Sequence, residues 1–338
     1  MRKSRKKEHV ENYLKTSFKG NNLFDCIYLE HNALPDLNLS DIDTSVNFLE
    51  KRMDYPIIIN AMTGGAEFAT EINNDLSLLA RKFNIPMAVG SETILLCEDD
   101  ACKESFKIVR ENIGKEGIVI ANLSGHATVE ETKIAMDVID ANAIQIHLNV
   151  AQELAMDEGD RDFEGIINNI ESIVKNIDKP VIVKEIGFGI SKDVAQRLYD
   201  IGVKYIDISG FGGTNFMEIE NLRNRNIDLT ELYAWGIPSA LSLIECRQLP
   251  EDLKLISSGG IRTATDIVKS IVLGAELAGI SGEILSYLVH GGYDNTKEYL
   301  DSLTYKIKTI MLLMGKKNIN ELRNSKYRIR GELKELLE

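Results

Sequence analysis

Residues 143–149 read AIQIHLN, a run in which apolar and polar side chains alternate from Ile144 onward. In a strand, successive side chains point to opposite faces, so Gln145, His147 and Asn149 share one face. A strand covered on both faces is normally apolar throughout, and polar groups on a buried face need polar partners. The segment therefore predicts a strand whose polar face meets a ligand, with a half-exposed antiparallel strand as the alternative.

Around this strand, seven further β-branched runs end in small or polar residues. They lie at residues 56–63, 87–92, 117–124, 180–187, 205–213, 254–262 and 277–282. Helical periodicity fills the intervals, as at residues 70–84, where Ile72, Leu76, Leu79 and Phe83 recur at helical spacing. Eight strand-and-helix units in about 230 residues predict a closed (β/α)8 barrel of parallel strands. An open doubly wound sheet is the alternative, disfavoured by the number of units and the lack of a nucleotide fingerprint.

The fold class expected is thus α/β, a (β/α)8 TIM barrel with an N-terminal extension, an insertion after strand 6 and C-terminal helices. Residues 1–50 form the N-terminal arm and extension, and residues 51–293 hold the barrel. Residues 294–338 form a helical tail packed on the barrel, expected as two polar helices with Gly315 between them. These boundaries follow from where the strand-and-helix pattern begins and ends.

The insertion after strand 6 covers residues 214–253 and contains ELYAWGIP at 231–238, with the only Trp of the chain. Insertions after strands lie at the catalytic face of such barrels. This segment is therefore expected to cover the site or to form a subunit contact.

Composition narrows the function classes. The chain has 338 residues, is 44% hydrophobic and carries a formal net charge of −13, which disfavours a nucleic-acid-binding surface. No apolar run approaches the ~18 residues that cross a bilayer, and no apolar core follows the basic start, so export is not expected. Cys26, Cys97, Cys102 and Cys246 lack the paired spacing of a zinc site and indicate reduced thiols. We therefore expect a cytoplasmic protein without nucleic-acid or membrane partners.

The ends of the strands are expected to carry the chemistry. Strands seven and eight end in residues 258–262 (SGGIR) and 279–282 (GISG), and glycine-rich ends at these positions form the usual phosphate cradle of a barrel. Lys184 on strand five would be costly to bury without an anionic partner. The cradle and this cation together predict an anionic ligand, although the glycines alone could be ordinary strand-to-helix turns.

Two glycine pairs could suggest a dinucleotide site. Residues 187–189 and 210–212 both read GFG and begin like a dinucleotide fingerprint. Lys192 and Asn215 occupy the place of the third glycine, so a Rossmann interpretation is weak.

Several motifs, in the same order and at the same spacing, resemble one enzyme family. They are residues 5–9 (RKKEH), 61–65 (AMTGG), 147–153 (HLNVAQE), 184–189 (KEIGFG), 209–214 (SGFGGT) and 258–262 (SGGIR). On these residues the chain resembles type 2 isopentenyl-diphosphate isomerase, a family of FMN-dependent (β/α)8 barrels. The resemblance extends from residue 5 to about residue 285. The glycines alone would be shared by many FMN barrels, whereas the whole set is specific.

The resemblance implies interconversion of isopentenyl and dimethylallyl diphosphate by reduced FMN, with Mg2+ on the diphosphate and NADPH as reductant. It implies that Arg5, Lys6, His9, His147, Asn149 and Gln152 hold the substrate, with His147 and Gln152 catalytic. It implies that Glu153 binds the metal. The FMN residues carried over are Ala61, Met62, Thr63, Ser91, Asn122, Lys184, Ser209, Thr214, Gly259, Gly260, Ser281 and Gly282. The match is weakest at strand eight, where many FMN barrels have a Gly-Arg pair.

Physical chemistry is consistent with these implied roles. An unactivated alkene is a poor base, so the cofactor performs the difficult proton transfer and the protein orients it. Lys184 near the flavin N1 would favour the anionic reduced form. The diphosphate calls for cations and Mg2+, which Arg5, Lys6, His147 and Glu153 would supply. We also expect a homo-oligomer, a tetramer or an octamer.

Three other functions compete with this one. A flavin 2-hydroxy-acid oxidase needs a His base and an Arg after strand six, where residues 210–215 read GFGGTN. A nucleotide dehydrogenase of the inosinate type needs a cysteine there, and none lies between Cys102 and Cys246. An inactive flavin-binding barrel is disfavoured because the polar face of residues 143–149 would cost ~1–3 kcal/mol per unsatisfied group without a ligand. His31, His126 and His290 receive no role.

Overall fold

The computed structural model describes residues 2–96, 100–223 and 227–338, and its centre is a closed barrel of eight parallel strands. The (β/α)8 prediction is therefore confirmed. The barrel strands, in chain order, are Ile57–Ile59, Met87–Ala88, Val119–Ser124, Ala143–Leu148, Val181–Glu185, Tyr205–Asp207, Lys254–Ser257 and Leu277–Ile280. Each overlaps one of the eight runs predicted from the sequence.

Helices surround the barrel and separate its strands. They are Glu67–Phe83, Asp100–Ile113, Val129–Val138, Val150–Ala155, Ile166–Asn176, Lys192–Asp200, Phe216–Arg223, Ser239–Cys246, Ala264–Val272 and Gly282–Leu313. The first of these is the helix predicted at residues 70–84; its apolar stripe of Leu76, Leu79 and Phe83 is buried. It ends at Asn84, which has φ 47°, a left-handed conformation that asparagine tolerates and that stops a helix. Short 3-10 helices lie at Phe24–Cys26, Leu39–Asp41, Glu92–Leu96 and Thr230–Leu232.

The N-terminal extension begins with helix Arg2–Tyr13, which lies across the carboxyl ends of the barrel strands. Two short strands that follow, Val46–Phe48 and Lys51–Met53, pair antiparallel with each other. A third, Ile27–Leu29, pairs antiparallel with Tyr327–Ile329 near the other end of the chain. The N-terminal and C-terminal extensions are therefore joined by a small sheet outside the barrel.

The expectation of two polar helices in the tail is incomplete. A helix does end at Leu313 and another, Ile319–Arg323, begins after Gly315, but strand Tyr327–Ile329 and helix Glu332–Leu337 follow. The strand was missed because its only partner lies near the start of the chain, and three residues carry no periodicity of their own. The long helix Gly282–Leu313 is also interrupted at Gly292, where φ is 71°.

The insertion after strand six divides into two parts. Helix Phe216–Arg223 faces the cavity through Phe216, Ile219 and Arg223. Residues 231–238 lie outside that wall in the described part of the chain, and the side chain of Trp235 is 67% exposed. The insertion therefore borders the cavity through helix Phe216–Arg223 and not through the Trp segment, and its expected subunit contact stays a prediction.

The described cysteines are free thiols, as expected. Cys26 is partly exposed, Cys102 and Cys246 are buried, and burial raises the pKa of the Cys246 thiol to about 12. Cys97 lies outside the described residues. Among the described helices, none is long and apolar enough to cross a membrane.

Candidate active site

A cavity of about 890 Å³ opens at the carboxyl ends of the barrel strands. Its wall contains every residue that the sequence predicted for the site. These are Arg5, Lys6, His9, Ala61, Met62, Thr63, Ser91, Asn122, His147, Asn149, Gln152, Glu153, Lys184, Ser209, Thr214, Gly259, Gly260, Ser281 and Gly282. Residues that are distant in the sequence are thus brought to one surface, and their individual roles stay predictions.

The polar face of residues 143–149 is satisfied largely by the protein itself. The His147 Nδ1 lies 2.8 Å from Asn122 Oδ1, and Asn122 Nδ2 donates to Gln145 Oε1 at 3.1 Å. Gln145 Nε2 donates to Asn60 Oδ1 at 2.9 Å, and Asn60 Nδ2 donates to Asp207 Oδ2 at 2.6 Å. We call this series of five side chains the polar chain. It contradicts the argument that an inactive barrel would leave this face unsatisfied, since Gln145 needs no ligand.

Lys184 has the anionic partner that its burial requires. Its Nζ lies 3.5 Å from Asp207 Oδ2 and donates to the Glu185 carbonyl oxygen at 2.7 Å. Lys184 and Asp207 are partners in the register of neighbouring strands, and both are buried. Asp207 also accepts from Ser258 Oγ at 2.5 Å. The sequence prediction missed Asp207, although an acidic residue inside an apolar strand is a signal that a buried cation is near.

His147 is neutral at pH 7 in this structure. Burial, with the nearby positive charges of Lys184 and Lys6, lowers the pKa of His147 to about 4. Its place among the cations that bind the diphosphate, expected from the sequence, therefore does not hold for the ligand-free protein. The imidazole still lines the cavity beside Asn122.

The N-terminal arm is docked into the site through its basic side chains. Lys6 Nζ donates to the Ser91 carbonyl oxygen at 2.7 Å and lies 5.3 Å from the centroid of the Phe106 ring. Arg5 Nη1 lies 3.7 Å from Glu158 Oε1. The alternative of a freely solvated basic tail does not describe these residues, because their charged ends contact the barrel.

A buried carboxylate that the sequence prediction missed joins the arm to the barrel. Glu220 accepts from Gln152 Nε2 at 3.0 Å and from Arg223 Nε at 2.7 Å, and its Oε1 lies 2.8 Å from His9 Nε2. Burial alone would raise the pKa of Glu220, but the contacts with His9, Gln152 and Arg223 outweigh it and hold the pKa below its usual value. Helix Phe216–Arg223 carries no recognisable motif, and only the spacing of Glu220 and Arg223 on one helix face hinted at this pair.

The environment of Glu153 is compatible with Mg2+. Its two carboxylate oxygens accept from Asn149 Nδ2 at 2.6 Å and from the Asp160 backbone N–H at 2.9 Å. Among the described residues no group of three or more His, Cys, Asp or Glu side chains could enclose a metal. Mg2+ commonly uses one or two carboxylates and takes its other ligands from substrate phosphates and water. A single Glu153 beside Asp160 therefore suits a metal shared with a phosphorylated ligand.

The barrel side of the cavity suits a flavin phosphate. The Thr63 hydroxyl is buried without a hydrogen-bond partner, an arrangement that a ligand would complete. Gly259 and Gly260 have φ of 95° and 77°, and a Cβ at either would lie within 2.0–2.3 Å of the backbone after strand six. Helix Gly282–Leu313 begins directly after strand eight, so its N-terminus meets the cavity. Arg262, which the site prediction omitted, also lines the wall and can supply the cation that strand eight lacks.

Comparisons with known proteins identify the family of this chain. The model of the FMN-dependent dehydrogenase family matches residues 112–329. Proteins named isopentenyl-diphosphate delta-isomerase are similar: the one from Geobacillus sp. is 45% identical over 98% of this chain and 94% of its own length. The one from Bacillus licheniformis is 44% identical over the same shares, and one from Staphylococcus aureus is 40% identical over 95% and 91%.

Solved structures of other flavoenzymes share the fold. A mandelate oxidase variant with benzaldehyde has a TM-score of 0.68 at 16% identity, covering 95% of this chain and 94% of that one. A flavocytochrome b2 variant has a TM-score of 0.67 at 17% identity, covering 95% and 82%. At such identities the likeness concerns the fold alone. The matches in sequence, over nearly the whole chain, show that it belongs to the FMN-dependent, type 2 isopentenyl-diphosphate delta-isomerase family.

Proposed function

We propose that this protein catalyses the reversible isomerisation of isopentenyl diphosphate and dimethylallyl diphosphate in isoprenoid biosynthesis. The observation that carries the proposal is the single cavity that collects the arm cations, the polar end of strand four and the glycine-rich ends of strands seven and eight. Such a surface can hold a flavin, a diphosphate and a small apolar group side by side. The relatives at 40–45% identity carry the name of this activity.

We propose that FMN occupies the barrel side of the cavity. Bound there in its reduced form, FMN supplies a proton donor and acceptor at N5 that an unactivated alkene requires. The unpaired hydroxyl of Thr63 would hydrogen-bond to the cofactor. The backbone at Gly259 and Gly260 and the N-terminus of helix Gly282–Leu313 would contact its phosphate. Lys184 would hold negative charge on the ring by charge pairing, because its ammonium group is buried beside the cofactor wall.

On the side of the arm we propose the substrate. Arg5 and Lys6 would bind the diphosphate, and Glu153 would hold Mg2+ on the same phosphates. The arm would also shield the alkene from water, since helix Arg2–Tyr13 closes over the strand ends. His9 and Asn149 complete this wall.

Gln152 and His147 are the side chains that we propose complete the catalytic site, Gln152 at the reacting part of the ligand and His147 at its diphosphate. The Gln152 amide is fixed because its Nε2 donates to Glu220. Its carbonyl oxygen is thereby left as an acceptor for a group in the cavity. His147 lines the same space, so both residues would orient the ligand without being strong acids.

One experiment tests the proposal. The purified protein is loaded with FMN, reduced anaerobically with dithionite or NADPH, and mixed with isopentenyl diphosphate and Mg2+ while the product is followed by NMR. We expect dimethylallyl diphosphate to form, no product with oxidised flavin, and a loss of activity with EDTA. No conversion by the reduced, Mg2+-loaded protein would refute the isomerase assignment. Conversion with dithionite but not NADPH would refute only the reductant, and preferred retention of FAD would refute the cofactor.

The shared fold makes a 2-hydroxy-acid oxidase the alternative to eliminate. The loop after strand six reads GFGGTN at residues 210–215 and offers neither a His base nor an Arg for a carboxylate. We therefore expect no flavin reduction by mandelate or lactate. Bleaching of the oxidised flavin by either acid under anaerobic conditions would favour the oxidase.

We further propose that the protein forms a homo-oligomer, a tetramer or an octamer, in the cytoplasm. Ile227 and Trp235, both in the insertion, are 68% and 67% exposed, and a subunit contact at this place would bury both apolar side chains. Light scattering of the eluted protein measures the mass. A monomer at micromolar concentration, or a Trp235→Ser variant with unchanged mass, would contradict this use of the insertion.

A further inference from the structure

We propose that binding of the diphosphate is coupled to the uptake of one proton by His147, because the polar chain fixes the ring proton of the neutral imidazole on Nδ1. The proposal rests on the proposed function, since it needs an anionic ligand in contact with His147. It adds a specific role for Asn60, Gln145 and Asn122, none of which would carry the proton. They are positioning residues that decide which ring nitrogen faces the cavity.

The direction of every hydrogen bond in the polar chain follows from its anchored end. The Asp207 carboxylate lies beside Lys184 and accepts from Ser258, so it is an acceptor only. Asn60 must therefore donate through Nδ2, which leaves its Oδ1 to accept from Gln145 Nε2. Each amide in the series is oriented by the one before it.

The last two members of the chain transmit this orientation to the imidazole. Gln145 Oε1 accepts from Asn122 Nδ2, which turns Asn122 Oδ1 toward His147 Nδ1 at 2.8 Å. A carbonyl oxygen cannot donate, so Nδ1 carries the hydrogen. The neutral ring then has a bare lone pair on Nε2, and this nitrogen makes no hydrogen bond with the described residues.

A diphosphate cannot satisfy that lone pair, because its ionised oxygens only accept. To donate through Nε2, the ring has to become imidazolium. Three charged or titratable groups lie around it: Lys184 on the next strand, Lys6 from the arm and Glu92 behind Asn122. Glu153, on the following helix, lines the same cavity. The two lysines and burial keep the free ring neutral, and a polyanion in the cavity reverses that balance.

The proton can be counted by calorimetry. Isopentenyl diphosphate is titrated at pH 7 into the oxidised, FMN-loaded protein with Mg2+, in buffers of different ionisation enthalpy. We expect the wild type to take up about one proton more on binding than His147→Gln does. As the pH rises, the affinity of the wild type should therefore fall about tenfold more per pH unit than that of His147→Gln. Equal uptake by both proteins would overturn the inference. An absence of ligand binding would instead overturn the proposed function, and this inference with it.

A second variant tests the polar chain apart from the histidine. Gln145→Leu keeps the volume but removes the group that orients Asn122, so the Asn122 amide can rotate and let neutral His147 carry its hydrogen on Nε2. We expect its proton uptake to drop toward that of His147→Gln. Ser270→Ala is the control: it removes a buried hydroxyl that donates to Ser257 and does not belong to the polar chain. We expect this variant to keep the wild-type proton uptake. Wild-type proton uptake by Gln145→Leu would show that the polar chain does not fix the tautomer of His147.

Spectroscopy gives a readout that does not depend on ligand affinity. With 15N-labelled histidine, the His147 signals are assigned by their loss in His147→Gln. We expect the free protein to show a protonated Nδ1 and a bare Nε2, and the complex to show both nitrogens protonated. A proton on Nε2 of the free ring would refute the inference even in a variant that binds poorly.

Discussion

The floor and the roof of the cavity are built differently. The floor consists of side chains on barrel strands, such as His147, Lys184 and Asp207, and the register of neighbouring strands aligns them: His147 with Lys184, and Lys184 with Asp207. The roof consists of helices Arg2–Tyr13 and Phe216–Arg223, which meet through side-chain contacts between distant parts of the sequence.

This difference separates stability from activity. Floor groups are buried and paired, so removing one leaves another uncompensated inside the barrel. The arm groups of the roof keep partial contact with solvent, with the Arg5 side chain 30% exposed and that of His9 19% exposed. Changes in the floor are therefore expected to weaken the fold and flavin binding, whereas changes in the roof are expected to lower activity alone.

The largest effect is expected from deleting residues 2–9, because this removes Arg5, Lys6 and His9 together. Each charge that binds the diphosphate contributes ~2–5 kcal/mol, so kcat/KM should fall by about 10³-fold or more. The midpoint of urea unfolding and the flavin spectrum should not change. Lys7→Ala is the control, since its side chain is 65% exposed and points away from these contacts. Unchanged kcat/KM in the deletion variant would mean that the roof has no functional part.

The next effect belongs to the floor. Asp207→Asn leaves the Lys184 ammonium buried without its counter-ion and should reduce the free energy of unfolding by ~3–5 kcal/mol, with weaker FMN retention. Asp252→Asn breaks an exposed pair with Lys204 and should leave the free energy of unfolding almost unchanged. Urea unfolding of both variants measures the difference. Similar losses in the two would show that the buried pair of the floor contributes no more to stability than an exposed surface pair.

Glu153 lies where the floor meets the roof, and its substitution tests the metal. Glu153→Gln keeps the size of the side chain and one acceptor oxygen but removes the charge. The activation free energy of the Mg2+-dependent reaction should therefore rise by ~2–4 kcal/mol, which lowers kcat/KM about 30-fold to 1000-fold. FMN affinity should persist. Glu171→Gln, on an outer helix, should match the wild type. The activity of the wild type and both variants is measured as a function of Mg2+ concentration. If Glu153→Gln depended on Mg2+ as the wild type does, Glu153 would not bind the metal and would have only a structural role.

The smallest effect concerns Glu92, a buried acid at the start of the 3-10 helix Glu92–Leu96, outside the floor, whose charge would interact with Lys6. Burial raises its pKa from 4.5 to about 8, partly opposed by the Asn122 N–H and Lys6. A raised pKa means that folding favours the neutral acid, so the wild type loses stability as pH rises from 4.5 through about 8. Glu92→Gln should therefore increase Tm by a few degrees at pH 9 and by less at pH 5. Equal shifts at both pH values would contradict the burial of a charge.

The sequence predicts the floor better than the roof for a physical reason. Each barrel strand ends in a local pattern, so residues such as His147, Lys184 and Gly259 can be placed at one rim by chain order alone. Asp207 and Arg262 belong to the same strand ends but were not assigned a role, because their importance depends on which neighbour they meet. The neutral state of His147 depends on the summed field of Lys184 and Lys6, which sequence spacing does not contain.

The roof is harder to predict from the sequence, because it is held together by contacts between distant segments that no short sequence pattern encodes. Glu220 lies in an insertion without a motif and acquires its function only when His9 and Gln152 reach it from other elements. Arg5 and Lys6 were placed by family resemblance, not by spacing. Strand Tyr327–Ile329 was missed for the same reason, as its partner strand is at the opposite end of the sequence.

The shared carboxylate of Glu220 has one more consequence. Because Gln152 of the barrel and His9 of the arm contact the same oxygen, a ligand that pulls on Gln152 alters how tightly His9 is held. Thermodynamic reciprocity then requires that closure of the arm changes ligand affinity by the same factor. We therefore expect a ligand at Gln152 and the docked arm to stabilise each other, and amide hydrogens of residues 5–13 to exchange more slowly once the diphosphate is bound.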